Sequence, residues 1–327
     1  MIAATMLPDI HTRRRLGRTD LLVGPLCIGT APLGDMPDSY GIGAPEDQAL
    51  ATLRAALSSA VNFIDTSNNY GDGRAERRIG TVLAETGGLG PDRVLATKAD
   101  RNMTTGDFSG DRMKRSVEES LDRLGLDALQ FAYIHDPEHT TFEHIMSPGG
   151  ALEAMQDLQR QGVIGDIGIS GGPIDMLIRY VDTGAFAAVE THNRFTLLNR
   201  SALPLLDRCA ARGVAVVNAA PYGSGLLAKG PSSPARYVYQ DVPARILDRT
   251  RRLAAACDEH GVPLAAAALQ FSMRDPRVTS TVTGMTRPER VEQTLALAAW
   301  PIPDAIWPKL DAVGFDMDDP EASRWTR

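Results

Sequence analysis

VNFIDTSNNYGDGRAERRIGTVLAETGGLGPDRVLATK, residues 61–98, shows the plan on which the chain is built. Two short apolar runs, VNFID and RVLATK, close on polar residues, Asp65 and Lys98, and a stretch with helical spacing of apolar residues separates them. Such alternation predicts βα units and a parallel sheet. It continues in both directions, through PLCIGT before this stretch and LQFAYIH, VIGDIGIS, AAVETH, VAVVNAAP and VTSTVTG after it. Helical patterns lie between: EDQALATLRAALSSA places Leu50, Leu53, Ala56 and Leu57 on one face. Others stop at Gly125, Gly162, Gly213 and Gly261, and glycine just past a periodic segment is a stop signal.

Eight units with no break in composition predict one α/β domain over residues 1–327, a (β/α)8 TIM barrel. The strands lack clean apolar–polar alternation, as expected of a parallel sheet covered by helices. HTRRRLGRTDLLVGP, ahead of the first barrel strand, predicts an N-terminal β-hairpin at the bottom of the barrel. KGPSSPARYVYQDVP, after the seventh strand, is the longest irregular segment and predicts a loop over the mouth.

A net charge of −7 and a pI near 5.4 speak against nucleic acid as a partner. Cys27, Cys209 and Cys257 show neither disulfide nor metal spacing and read as small packing residues in a reducing compartment. MIAATMLPDIHTRRR has no apolar run after a basic start, and no run of 18 apolar residues occurs anywhere. A cytoplasmic protein without a membrane partner is expected. Gly223, Gly225 and Ala228 satisfy GxGxxA, but Lys229, Gly230 and Pro231 follow where a Rossmann fold needs a helix.

Asp65, Lys98 and His135 each end an apolar run, and Tyr70 lies in the loop after the first of them. In a parallel barrel these positions converge on the C-terminal mouth. A phenol beside an ammonium exchanges a proton with a carbonyl or alcohol oxygen more readily than a free phenol, whose pKa is ~10. A carboxylate holds the ammonium, and an imidazole orients the oxygen. No side chain donates hydride, so this chemistry implies a nicotinamide or flavin cofactor. His192 and Asn193, at the end of AAVETHNRF, are candidate substrate contacts, and Tyr40 and Trp325 are candidate pocket walls. The early HxH pair of a metal-dependent hydrolase barrel is missing, and no metal is expected.

FIDTSNNYGDGRAERRIGTVL, VLATK, YIHD, GVIGDIGISG and PYGSGLLAKG resemble, in order, the signatures of the aldo-keto reductase superfamily. RRLGRTDLLVGPLCIGTAPLGDM, NRFTLLNRSALPLLDRCAARGVAVV and CDEHGVPLAAAALQF are most similar to its group of D-threo-aldose, L-galactose, L-fucose and pyridoxal 4-dehydrogenases. The resemblance implies that Tyr70 is the general acid/base, tuned by Lys98 and Asp65, with His135 orienting the substrate. It also implies a nicotinamide dinucleotide held without a Rossmann fold by Ser170, Tyr222, Gly223, Ser224, Gly225, Leu226, Gly284, Thr286, Arg287 and Arg290.

Gly171 stands where many members have asparagine, and Ala219 and Ala220 stand where many have an aromatic residue and serine. Phe195 or Tyr222 is then left to supply a ring against the nicotinamide. Thr286 replaces a frequent arginine, but Arg287 and Arg290 lean the cofactor to NADP(H) over NAD(H). The implied reaction is oxidation of an aldose of the L-fucose or L-galactose type to a lactone. Its alternatives are NADPH-dependent reduction of an aldehyde or ketone, a pyridoxal dehydrogenase, and a nucleotide-sensing subunit without turnover. The oligomeric state is left open.

Overall fold

The computed structural model describes residues 9–37, 43–232 and 236–322. Eight parallel strands form a closed barrel: β1 (Leu26–Gly29), β2 (Phe63–Asp65), β3 (Val94–Ala99), β4 (Leu129–His135), β5 (Ile164–Gly171), β6 (Ala188–His192), β7 (Ala215–Ala219) and β8 (Val278–Gly284). Closure comes from β8, which pairs with both β7 and β1. These are the eight runs expected from the sequence.

Helices follow the strands on the outside, among them Glu46–Ser58, Arg74–Thr86, Gly110–Leu124, Ala151–Arg160, Leu203–Arg212 and Ala244–Asp258. Ser109 starts the third of these by accepting a bond from the Arg112 amide, and Gly125, in the left-handed region at φ 66°, ends it. No described helix is long and apolar enough to cross a membrane.

Each strand sends alternate side chains inward and outward. Ile64, Leu95, Ala132, Ile134, Val189 and Val216 face the helices and join the larger core. Phe63, Ala96, Phe131, Tyr133, Ala188 and Val217 fill the barrel's interior. Both faces are therefore apolar along most of each strand, which is why the sequence shows runs rather than alternation.

The hairpin is present, with Arg14–Arg15 antiparallel to Leu22–Val23. Its Leu16 and Val23 pack into the interior cluster, and Arg14 Nη1 donates to the Val278 carbonyl at the start of β8. It thus closes the N-terminal end of the barrel, leaving the opposite end as the mouth.

Candidate active site

Inward parity positions the site. Asp65 lies two residues beyond Phe63 on β2, Lys98 two beyond Ala96 on β3, and His135 two beyond Tyr133 on β4. The strand register brings the ends level, with His135 opposite Ser170, Ser170 opposite Glu190, and His192 opposite Ala219. Above them is a cavity of about 650 Å³ whose wall includes Asp65, Tyr70, His135, Ser170, Glu190, His192, Ala219, Gly284 and Glu321.

Lys98 is fully buried beneath this cavity. Its ammonium hydrogen-bonds Asp65 Oδ1, the Thr66 carbonyl at 2.9 Å and Tyr70 Oη at 3.2 Å, and Glu190 Oε1 lies 3.5 Å away. Burial works against its charge, but Asp65 and Glu190 outweigh burial and hold the lysine well above its ordinary value. The loop carrying Tyr70 is tied to β3 by the Thr66 amide on the Ala96 carbonyl and the Asn68 amide on the Lys98 carbonyl. Gly71 lets that loop touch the segment after β1: a Cβ there would sit 1.9 Å from the Gly34 carbonyl oxygen.

His135 Nδ1 lies 2.7 Å from Asp100 Oδ1, and Nε2 lies 3.4 Å from Asp136 Oδ1. Burial opposes the imidazolium, but the two carboxylates prevail and push the ring up to about 9. Burial, and then the nearness of Asp65, push the Glu190 carboxyl up to about 8. Sequence reading had not singled out Asp100 or Glu190. Both were visible as acids two residues from a chosen residue on the same strand parity, after Lys98 and before His192.

Ser170 and Gly284 line the cavity at positions the sequence suggested for the cofactor. Gly223, Ser224 and Gly225 are not part of its wall; they take three consecutive positive-φ conformations, and Ser224 Oγ accepts at 2.9 Å from the amide of Tyr239, which does line it. Leu226 is buried at the start of a four-residue helix, Leu226–Lys229. Arg287 and Arg290 are exposed around the start of the Glu289–Ala298 helix, where the Thr286 carbonyl accepts from Gln48 Nε2 at 2.7 Å.

Neither ring suggested against the nicotinamide lines the cavity. Phe195 is buried against Phe271, with centroids 5.0 Å apart, and the Tyr222 hydroxyl is buried. Tyr239 is a further ring on the wall besides Tyr70 and the histidines, at the tip of a two-residue turn joining Arg236–Tyr237 to Gln240–Asp241. Val238 and Tyr239 both have positive φ, 52° and 63°, the backbone such tight hairpin turns demand. This is the segment expected over the mouth.

His192 lines the cavity and its Nε2 meets Glu321 Oε2 at 2.9 Å. Asn193 is fully buried with φ 60° and does not form part of the wall. Glu321 comes from the C-terminal segment, which Arg194, itself fully buried, anchors through Asp319 at 2.6 Å and Glu321 at 2.7 Å. His139, given no role from the sequence, also lines the cavity. Tyr40 and Trp325 lie outside the described residues.

A phenol set against a buried ammonium at the mouth of a parallel barrel is an arrangement suited to proton transfer. Residues 25–314 match the Aldo/keto reductase family, and the chain belongs to that family, whose members are oxidoreductases working with nicotinamide cofactors. It is 32% identical over 316 residues to D-threo-aldose 1-dehydrogenase of a Pseudomonas species, covering 89% of this chain and 94% of that one. It is 30% identical over 309 residues to L-galactose dehydrogenase of Arabidopsis thaliana, covering 93% and 91%. The fold resembles the holo form of an aldo-keto reductase from Bacillus halodurans, with a TM-score of 0.76, 23% identity and coverage of 96% and 99%.

Proposed function

We propose that this oxidoreductase is an aldose dehydrogenase, oxidising the anomeric carbon of a neutral sugar of the L-fucose or L-galactose type to a lactone. The observation that carries the reading is the buried Lys98 ammonium 3.2 Å from the Tyr70 hydroxyl at the floor of the cavity. An ammonium so placed stabilises phenolate relative to phenol, so Tyr70 can take the proton of a sugar hydroxyl and return it in the reverse direction. Asp65 holds Lys98 charged and in place. His135 donates a hydrogen bond to the same substrate oxygen. When bound, the nicotinamide supplies the hydride acceptor at the carbon.

The cavity suits that cofactor. Ser170 offers a hydroxyl on the wall. Arg287 and Arg290, exposed beside a helix start, offer charge for a 2′-phosphate, which favours NADP(H).

The wall's composition supports a neutral polyhydroxy substrate. Among the described residues it carries the acids Asp65, Asp136 and Glu321, the Glu190 carboxyl that keeps its proton to about 8, and the cations Arg101 and His135. Carboxylates accept bonds from sugar hydroxyls, and a protonated carboxyl can also donate one. The test is a panel of neutral sugars, sugar phosphates and aldehydes, pyridoxal included, run with NAD+, NADP+ and NADPH. Neutral aldoses should turn over with the oxidised nucleotide, and Tyr70→Phe should abolish that turnover while leaving nucleotide binding nearly intact. Preference for sugar phosphates, turnover on aldehydes alone, or a Tyr70→Phe enzyme of near-normal activity would each overturn part of this reading.

A further inference from the structure

We infer that Asp100 is a positioning residue that keeps His135 in its doubly protonated, cationic form, so that the oxygen in the active site meets a charge-assisted donor rather than a neutral one. The inference rests on the reading of Tyr70 and His135 as the groups that meet the substrate oxygen, and it deepens that reading.

Both ring nitrogens of His135 face acceptors. A carboxylate has no proton to give, so Asp100 Oδ1, at 2.7 Å, requires a proton on Nδ1. Asp136 Oδ1, at 3.4 Å from Nε2, favours a proton there too. A ring with both nitrogens protonated is an imidazolium.

Asp100 is built for this role. Its Oδ2 accepts from Ser67 Oγ at 2.5 Å and from the Asn69 amide at 3.0 Å, which leaves Oδ1 for the imidazole. Its amide donates to Ser116 Oγ at 2.9 Å, and its carbonyl accepts from Arg112 Nε at 3.0 Å. The side chain is therefore held at both ends of the residue, and it is buried. Its own carboxyl lies below the ordinary value: burial works the other way, and the His135 charge with the Ser67 bond overcomes it. The two partners thus shift in the directions expected of an ion pair.

The other groups facing the ring come from several elements. Ser67 Oγ lies 3.3 Å from Nδ1, and the Tyr70 ring stands edge-on with centroids 6.0 Å apart. Lys98, from β3, opposes the charge. Glu190, from β6, feels the His135 charge as well. Arg101 Nη1 lies 3.8 Å from Asp136, drawing part of that carboxylate's field away from the ring. The carboxylate on Nδ1 is the nearest and best oriented of the set, so its removal should decide the state of the ring.

The decisive measurement is the titration of the His135 ring by NMR, on full-length protein carrying labelled histidine and without substrate. The chain has six histidines, and a His135→Gln spectrum identifies the resonance. In the wild type the ring should stay charged through neutral pH, with a midpoint near 9. In Asp100→Asn the midpoint should fall by ~1–3 pH units, and the alkaline limb of the turnover profile should move the same way. A wild-type midpoint at the ordinary value of ~6.5, or an Asp100→Asn midpoint equal to the wild type's, would overturn the inference. If the variant does not fold, the wild-type titration decides alone. A Tyr70→Phe enzyme with normal turnover would instead sink the underlying reading, whatever the ring does.

Discussion

Replacing Glu190 by glutamine should remove a loss of stability that grows as the buffer becomes more alkaline. Glu190 and Asp65 face one ammonium, Lys98, inside the barrel, and Asp65 holds the hydrogen bond. Glu190 Oε2 and Asp65 Oδ2 are both buried, and the hydrogen bond between the two acids needs a proton on one of them, so ionising both leaves an uncompensated charge away from water. The folded protein accordingly keeps the Glu190 proton until about pH 8. An unfolded glutamate gives it up near ~4.3.

Between those values the native state binds more protons than the unfolded chain. Stability therefore falls as pH rises, by up to about 1.4 kcal/mol per pH unit. From pH 5.5 to pH 8 the loss attributable to this carboxyl is roughly 3 kcal/mol. A chain of 327 residues has an unfolding entropy of about 0.7 kcal/mol/K, so that loss corresponds to roughly 4 °C in Tm. Glutamine cannot ionise and loses none of this. The assay is Tm by differential scanning calorimetry for wild type and Glu190→Gln, at half-unit pH steps. The gap between the two curves should widen by several degrees toward pH 8. Parallel curves would refute the placing of an un-ionised acid beside Lys98. A constant offset is expected from the changed contact with Lys98 and does not bear on the result.

Lys98→Met should reduce turnover by ~10²–10⁴ and shift the residual pH profile to the alkaline side in the oxidation direction, because the phenolate loses its neighbouring cation; steady-state rates across pH would show it, and an unmoved profile would discard the tuning role. The double change Arg287→Ala with Arg290→Ala should weaken NADPH binding by ~10-fold or more while leaving NADH nearly unchanged, as read by nucleotide fluorescence titration. Equal weakening of both would remove these arginines from the 2′-phosphate.

How much of this was legible in the sequence follows from which physical rule each feature obeys. The barrel was legible because its eight apolar runs and the glycine stops between them are local signals. Gly125 and Gly213 end their helices in the left-handed region, at φ 66° and 64°, as the pattern demands. The Lys98–Asp65 contact was legible because inward parity and strand order bring those positions together in a closed parallel barrel, and Tyr70 reaches it because its loop is tied to the next strand. The loop over the mouth was legible only as an irregular stretch. Its hairpin, with a valine and a tyrosine in positive-φ conformations, lacks the Asn-Gly or Asp-Gly that ordinarily marks such a turn.

What stayed hidden were partnerships set by distant segments. Arg194 looks like one more surface arginine in NRFTLLNR, yet it is fully buried, because Asp319 and Glu321 return to it from more than a hundred residues away. That return also turns His192 from a free imidazole at a strand end into half of a pair with Glu321. Asp100 differs again. Its position two residues past Lys98 put it on the inward side, but only the level of β4 against β3 shows that it meets His135 rather than Lys98. Parity chooses the face a side chain occupies, and register chooses its neighbour. The fold and the Lys98–Asp65 contact needed only the first, whereas the partners of the imidazole and the wall of the cavity depend on the second.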